Sequence, residues 1–204
     1  MEALLAFAAA LVALRLAGLL AARWRERRQP QLLAWSAGLA AYALGAGAIA
    51  WGAAAGWNDG VFRAYYLCGG LLTAALLGTG SLLGIGVRAA GPIALVYTGL
   101  AAGVALGVPI EGTIAGTSIP EAQEHLALFP ARVLAIAGNA AGSLALIGVA
   151  VAGLRRRPIG NLLLLSGFAV AAAGSALAGL GAAQTAVFVA VGAGLLYAGT
   201  VVRA

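Results

Sequence analysis

The ionisable side chains of this apolar chain are concentrated in one segment, residues 111–132, which reads EGTIAGTSIPEAQEHLALFPAR. It contains three of the six acidic residues and the only histidine. Glu111, Glu124 and His125 are candidates for handling a proton or a cation, because histidine titrates near neutral pH. The pattern provides neither a nucleophile nor a second metal ligand, so we expect surface salt bridges, no catalytic or metal site, and no enzymatic activity.

A second candidate site opens the third apolar stretch, WNDGVFRAYYLCGG, residues 57–70. Arg63, Tyr65 and Tyr66 have the donors and aromatic surface to orient a ligand, and Tyr65 and Tyr66 also suit an aromatic belt at the membrane interface. The alternative role for Arg63 is a salt bridge to one of the acids in the loop. Asn139 lies within a later apolar stretch, where an amide is expected to face a partner or a cavity, and we assign it to the floor of the site.

Arg15 is an intramembrane charge, because it lies about 3–4 Å from the midpoint of the first apolar stretch at 1.5 Å per residue. No acidic residue is expected at the same depth. We favour a side chain that snorkels toward the headgroups over a site for an anionic substrate or lipid.

The composition excludes several chemistries. There is no lysine, so a retinal Schiff base is impossible, and Cys68 is the only cysteine, so there is no internal disulfide. One histidine cannot provide a bis-histidine haem or a three-histidine zinc site. We therefore expect no cofactor.

These residues must be positioned by membrane-spanning helices. The 204 residues are 63% hydrophobic and only 9% charged, against about 25% charged in soluble domains. A span needs roughly 20 apolar residues, and the sequence predicts one all-α domain, residues 1–204, with seven transmembrane helices. The predicted spans are 3–24, 31–54, 60–86, 91–108, 131–153, 158–179 and 182–202.

The arginines predict how the spans are oriented. Nine follow spans 1, 3, 5 and 7: Arg23, Arg25, Arg27, Arg28, Arg88, Arg155, Arg156, Arg157 and Arg203. Only Arg63 and Arg132 fall on the opposite side. The N-terminus is therefore predicted outside and the C-terminus in the cytoplasm of a multi-pass protein of a bacterial inner membrane. The basic charge is then explained by contact with the lipid bilayer, and no nucleic-acid partner is expected.

The long loop between spans 4 and 5 predicts a short amphipathic helix over residues 119–128. Ser118 and Glu121 have the spacing of a capping box, and apolar residues recur at helical spacing along one face. The expected role of this helix is to cover the outer ends of the bundle, or to act as a lid.

Glycines recur four residues apart in several spans, a spacing that places small residues on one helix face. They include Gly99, Gly103 and Gly107 in span 4, and Gly138 and Gly142 in span 5. We interpret them as close helix packing, with helix sliding in a transporter as the alternative.

Two resemblances follow from these features. Spans 1–3 and 5–7 have the same predicted orientation, with span 4 between them. The string RRQPQLL before span 2 corresponds to RRRPIGNLL before span 6. This arrangement resembles the three-plus-one-plus-three plan of the SWEET sugar transporters. That family's Pro-Gln pair lies within a first helix, whereas Pro30-Gln31 stands at the start of span 2, so the likeness is one of topology. The Trp-Asn, Phe-Arg and Tyr-Tyr-Leu run of residues 57–70 resembles uncharacterised small seven-helix proteins of high-GC bacteria, which implies no activity.

The sequence therefore favours a protein that binds or transports a small apolar or amphipathic molecule through an outward-facing cavity between helices 2–5. Arg63, Tyr65 and Tyr66 would orient the ligand, and the loop acids with His125 would form the rim. The alternatives are a structural or sensory subunit acting through a membrane-protein partner or a second copy, and a lipid-modifying enzyme using Glu124 and His125.

Overall fold

The computed structural model describes residues 2–155, 158–159, 161–163, 165–167 and 170. Within these residues the regular secondary structure is all helical, and five helices are long and apolar enough to cross a membrane. The all-α class and the presence of several membrane-length helices are thus confirmed. Most of the sixth predicted span (158–179) and all of the seventh (182–202) lie outside the described residues, so the seven-span count stays a prediction.

The helices begin and end within a few residues of the predicted spans. In chain order they are α1 (Glu2–Arg27), α2 (Pro30–Ala55), α3 (Asp59–Gly84), α4 (Ala90–Gly107), α5 (Ala122–His125) and α6 (Leu128–Ala152). Helix α3 contains a π-helical segment, Tyr66–Leu72, between two α-helical parts. In α6 the backbone of Phe129 is extended, so the regular α-helix starts at Val133.

Local chemistry explains the boundaries at the start of the bundle. Arg28 takes a positive φ of 54° after α1, and Pro30 then opens α2, where its missing N–H leaves no hydrogen bond unmade. Gly56 ends α2 with a φ of 93°, a conformation that glycine adopts without strain. The Asn58 side chain caps α3 by accepting a hydrogen bond from the Val61 N–H at 3.1 Å.

Helix α2 lies at the centre, packed between α1 and α3, and the second half of α3 packs on both α2 and α6. Where α3 crosses α6 the backbones touch: a Cβ on Gly142 would overlap the Ala74 carbonyl, and one on Gly78 would overlap the Gly142 carbonyl. Helix α4 lies at the periphery, against the π segment of α3 and the start of α6.

The predicted amphipathic helix over 119–128 is wrong in extent, because α5 is a single turn, Ala122–His125. Glu121 occupies the N-cap position without a side-chain cap, so the capping box from Ser118 does not form. The cause is tertiary packing. Leu126 is extended (φ −131°, ψ 131°), and its side chain is buried in the apolar cluster beneath the loop, a geometry that a continuing helix would not give.

Candidate functional site

The loop between α4 and α6 covers an apolar cluster at one end of the bundle, which we call the loop-covered cluster. Its buried members come from α1, α2, α3, α4, the loop and the start of α6: Ala6, Ile49, Ala50, Trp57, Phe62, Tyr66, Leu71, Ala101, Ala105, Ile114, Leu126 and Ala131. Ile119 and Ala122 pack against it. Three parts of the chain therefore meet at this cluster: the loop, the residues around the start of α3, and the start of α6.

Backbone hydrogen bonds hold the loop in place over this cluster. The Glu111 N–H donates to the His125 carbonyl at 2.9 Å, and the Trp57 N–H donates to the Gly116 carbonyl at 2.8 Å. The His125 Nδ1 lies 2.9 Å from the Glu111 carbonyl oxygen, and because a carbonyl only accepts, Nδ1 must carry the proton. The His125 ring also meets Phe62 edge to face at 5.7 Å. His125 thus joins the two ends of the loop through its hydrogen bonds with Glu111.

The predicted acidic rim does not assemble around His125. The side chains of Glu111 and Glu124 are exposed, and neither makes a hydrogen bond or an ion pair in the part of the chain that the structure describes. Glu111 acts on His125 through its backbone alone. In this structure His125 and the Glu111 backbone hold the loop, and neither carboxylate bonds to His125 or to the other carboxylate.

Two side-chain donors inside the cluster have no hydrogen-bond partner. The Tyr66 hydroxyl and the Trp57 indole Nε1 are both enclosed and unpaired, and their side chains are only 6% and 4% exposed. Tyr66 stacks on Phe62 at a centroid distance of 6.1 Å. Buried polar groups are nearly always paired, and one left unpaired costs about 1–3 kcal/mol. Two unpaired donors in one cluster therefore mark it as the candidate ligand site.

Trp57 is placed by close packing on helix α2. A Cβ on Gly52 would overlap the Trp57 indole, so a larger residue at position 52 would displace the ring. Tyr65, predicted to orient a ligand, instead packs edge to face on Trp57 at 5.6 Å. The indole is thus held between α2 and the ring of Tyr65.

Backbone carbonyls of the π-helical segment of α3 accept hydrogen bonds from side chains outside that segment. Asn139 Nδ2 donates to the Gly70 carbonyl at 2.7 Å, and Thr73 Oγ1 donates to the Cys68 carbonyl at 2.7 Å. The Tyr97 hydroxyl lies 3.0 Å from the Leu71 carbonyl oxygen. Side chains commonly satisfy backbone groups at irregular turns of membrane helices. Asn139 therefore faces a partner in the contact between α6 and α3, and its place on the floor of a site stays a prediction.

Arg63 does not make the predicted salt bridge. Its Nη1 donates to the carbonyl of Ala105 at 2.5 Å and approaches that of Leu106 at 3.3 Å, both in the last turn of α4. The last carbonyls of a helix lack intrahelical partners and carry partial negative charge, so a guanidinium is a favourable cap. Among the described residues no acid pairs with Arg63. Arg63 ties α4 to α3, and its role in orienting a ligand stays a prediction.

Arg132, at the start of α6, is a residue that the sequence analysis did not assign to the site. It is partly buried, follows the buried Ala131, and lies within electrostatic range of the Tyr66 phenol. Within the described ranges it has no hydrogen bond or ion pair. A signal was present in the sequence, because Arg132 and Arg63 are the two arginines that oppose the predicted charge asymmetry.

Arg15 lies on an exposed face of α1 and has no hydrogen bond or ion pair within the described part of the chain. Helix α1 is joined to α2 elsewhere, where Ser36 Oγ donates to the Ala17 carbonyl at 2.8 Å. Arg15 therefore lies on the side of α1 that faces away from α2.

No protein-family model, curated protein or solved structure matches this chain.

Proposed function

We propose that the chain is a multi-pass protein of the bacterial cell membrane with seven spans, an outside N-terminus and a cytoplasmic C-terminus. Five membrane-length apolar helices support the membrane location. The orientation rests on the nine arginines that follow the odd-numbered spans. In this orientation the loop-covered cluster lies at the outer end of the bundle.

The proposed function is to bind or transport a small apolar or amphipathic molecule at the loop-covered cluster. The observation that carries this proposal is the pair of buried, unpartnered donors, Tyr66 Oη and Trp57 Nε1. Apolar side chains such as Phe62 and Leu126 surround them, and binding sites typically combine apolar walls with a few polar groups. A ligand oxygen that accepts from either donor would remove a cost present in the free protein.

The adjoining π segment supports the same location. Single-turn π-helical insertions in α-helices are frequent at functional sites, and this one begins at Tyr66. Its carbonyls are held by Asn139, Thr73 and Tyr97. The backbone of the site is thus fixed while the two donors beside it are left unpaired.

The experiment is purification of the full chain in a mild detergent, followed by mass spectrometry of the small molecules that copurify. We expect one amphiphile in stoichiometric amount in the unmodified protein and much less in the double variant Trp57→Phe, Tyr66→Phe. Trp51→Phe is the matched control, because Trp51 is 62% exposed on α2. Equal retention by the unmodified protein and the double variant would contradict the proposal.

The second candidate function is a structural or sensory subunit that acts through a partner helix or a second copy. The peripheral helix α4 favours it, since large apolar side chains such as Leu95 and Leu106 are 76% and 71% exposed. A photo-crosslinking residue placed at Leu95 in native membranes would then give a covalent complex with a second chain. Crosslinks to lipid alone would exclude α4 as the contact.

The third candidate, a lipid-modifying enzyme, gains no support from the geometry. Its general acid and base would be Glu124 and His125. The Glu124 carboxylate is exposed, and His125 Nδ1 is occupied by the Glu111 carbonyl. General acid–base catalysis requires each group to lie within hydrogen-bond reach of the proton that it transfers, and no described polar group joins these two side chains by hydrogen bonds.

A further inference from the structure

Arg132 places a positive charge at the start of α6, next in the chain to Ala131, which is buried in the loop-covered cluster. The three acids of the loop (Glu111, Glu121 and Glu124) form no ion pair with it, and no described residue donates to or accepts from it. The charge lies within electrostatic range of Tyr66, whose hydroxyl is enclosed and unpaired in the same cluster. A partly buried guanidinium with no partner strongly favours an anion, because each of its N–H groups requires an acceptor.

We propose that Arg132 and the Tyr66 hydroxyl together bind the anionic group, a carboxylate or a phosphate, of an amphiphilic ligand whose apolar part lies against the loop-covered cluster. This inference rests on the proposed function and names its ligand class. The planar fork of arginine matches both anions, and a phenol O–H is a good second donor to the same oxygen atoms. Phe62, Ile114 and Leu126 provide the apolar surface.

The geometry also requires the site to open. The Tyr66 hydroxyl is enclosed, so an anion reaches it only when a neighbouring group moves. The loop is the covering element, and a few contacts hold it: the backbone hydrogen bonds of His125 and Gly116, and the edge-to-face contact of His125 with Phe62. The closed, unliganded state therefore retains a buried hydroxyl that only the liganded state satisfies.

This arrangement gives a signature that a purely structural tyrosine would not give. Removing the hydroxyl in Tyr66→Phe removes an unpaired polar group and keeps the ring on Phe62. The variant should unfold at a higher temperature than the unmodified protein when no ligand is present, and it should bind the anion more weakly. A structural tyrosine whose hydroxyl stabilised the fold would give a lower unfolding temperature.

The test measures thermal unfolding of the full chain in neutral detergent with three probes: oleate, oleyl alcohol and inorganic phosphate. We expect oleate to raise the unfolding temperature more than oleyl alcohol does. Arg132→Gln and Tyr66→Phe should each weaken oleate binding by about tenfold or more, the range for losing a hydrogen bond to a charged group. Arg88→Gln is the matched control, because Arg88 is exposed in the loop between α3 and α4.

The outcomes separate this inference from the proposed function. Equal effects of oleate and oleyl alcohol, unchanged in Arg132→Gln, overturn the anion site and leave the apolar site standing. No effect of any of the three probes overturns both. A shift with phosphate alone, lost in Arg132→Gln, supports the anion site and assigns it to a free anion. If Arg132→Gln does not fold, Arg132→Lys and Tyr66→Phe decide the question, since both retain most of the packing.

Discussion

Helices α6 and α4 both have glycines four residues apart, but only the α6 glycines are in close contact with a neighbouring helix. In α6 a Cβ on Gly138 would overlap the Tyr97 hydroxyl, and one on Gly142 would overlap the backbone of Ala74. In α4 a Cβ on Gly99, Gly103 or Gly107 would meet no heavy atom within 4 Å. One spacing therefore accompanies close contacts with neighbouring helices in α6 and open surface in α4.

The difference shows that small residues permit a close approach without producing it. Helix α6 is held against α3 by an additional contact, the hydrogen bond from Asn139 to the Gly70 carbonyl. Helix α4 is joined to α3 near its end by Arg63, and its Tyr97 hydroxyl lies 3.0 Å from the Leu71 carbonyl of α3 and 3.2 Å from the Leu134 carbonyl of α6. The glycines of α6 are thus structural, whereas those of α4 are available to lipid or to a partner.

The largest effect is expected from Gly142→Ala. The added methyl would meet the Ala74 carbonyl, which is backbone and cannot rotate away, so α3 and α6 must separate. We expect a loss of about 3 kcal/mol in the free energy of unfolding, the upper part of the usual range for overpacking. Unfolding in mixed detergent measures it. A loss below about 0.5 kcal/mol, the scale of an ordinary surface change, would show that the contact is not close.

Arg63→Ala should have the next largest effect, and it tests how α4 is attached. Loss of the cap on Ala105 and Leu106 should cost about 1.5–3 kcal/mol, as for hydrogen bonds to charged groups. Hydrogen exchange should rise mainly in the last turn of α4. Arg88→Ala is the control and should change nothing there. Weaker ligand binding at unchanged stability would instead restore Arg63 to the ligand site.

Asn139→Ala tests whether α6 is held by its amide as well as by its glycines. The Gly70 carbonyl would lose its donor, and hydrogen bonds between membrane helices contribute on average about 0.6 and at most about 1.7 kcal/mol. We expect a loss in that range, with faster exchange in the π segment. Thr98→Ala is the matched control, because the Thr98 side chain makes no hydrogen bond within the described residues. Equal losses in both variants would remove the specific role of Asn139.

Gly103→Ala should have the smallest effect and completes the comparison with Gly142→Ala. The methyl enters open space, and alanine is the better helix former by about 1 kcal/mol in water. The variant should therefore be as stable as the unmodified protein, or slightly more stable. A marked loss of stability in native membranes, absent in detergent, would show that a partner covers this face of α4.

The helices of this protein could be predicted closely from its sequence. Long apolar runs and prolines at their starts gave bounds near those of α1 to α4 and α6. Prediction failed where the outcome depends on contacts distant in the sequence. Residues 119–128 have helical spacing, yet Leu126 is extended because its side chain is buried under the loop. Hydropathy also gave no indication of the π-helical segment within α3.

Sequence reasoning placed Arg63, Tyr65 and Tyr66 in one candidate site, and a ligand for that site stays a prediction. Arg63 was expected to bind an acid and instead caps α4, whereas Arg132 was not assigned to the site. Both arginines lie near the start of a helix of membrane length, and the sequence cannot state which acceptor stands opposite each of them.

The sequence by itself determined that the chain folds into apolar helices of membrane length, because transfer into lipid depends on the composition of each segment. It also determined that amine, dithiol and multi-histidine chemistries are absent. Only the tertiary structure decided which glycines touch another backbone, which carbonyl satisfies Arg63 and Asn139, and which donors stay unpaired. Those outcomes depend on distances of a few ångströms between segments far apart in the chain, which the packing of α3 against α2, α4 and α6 sets.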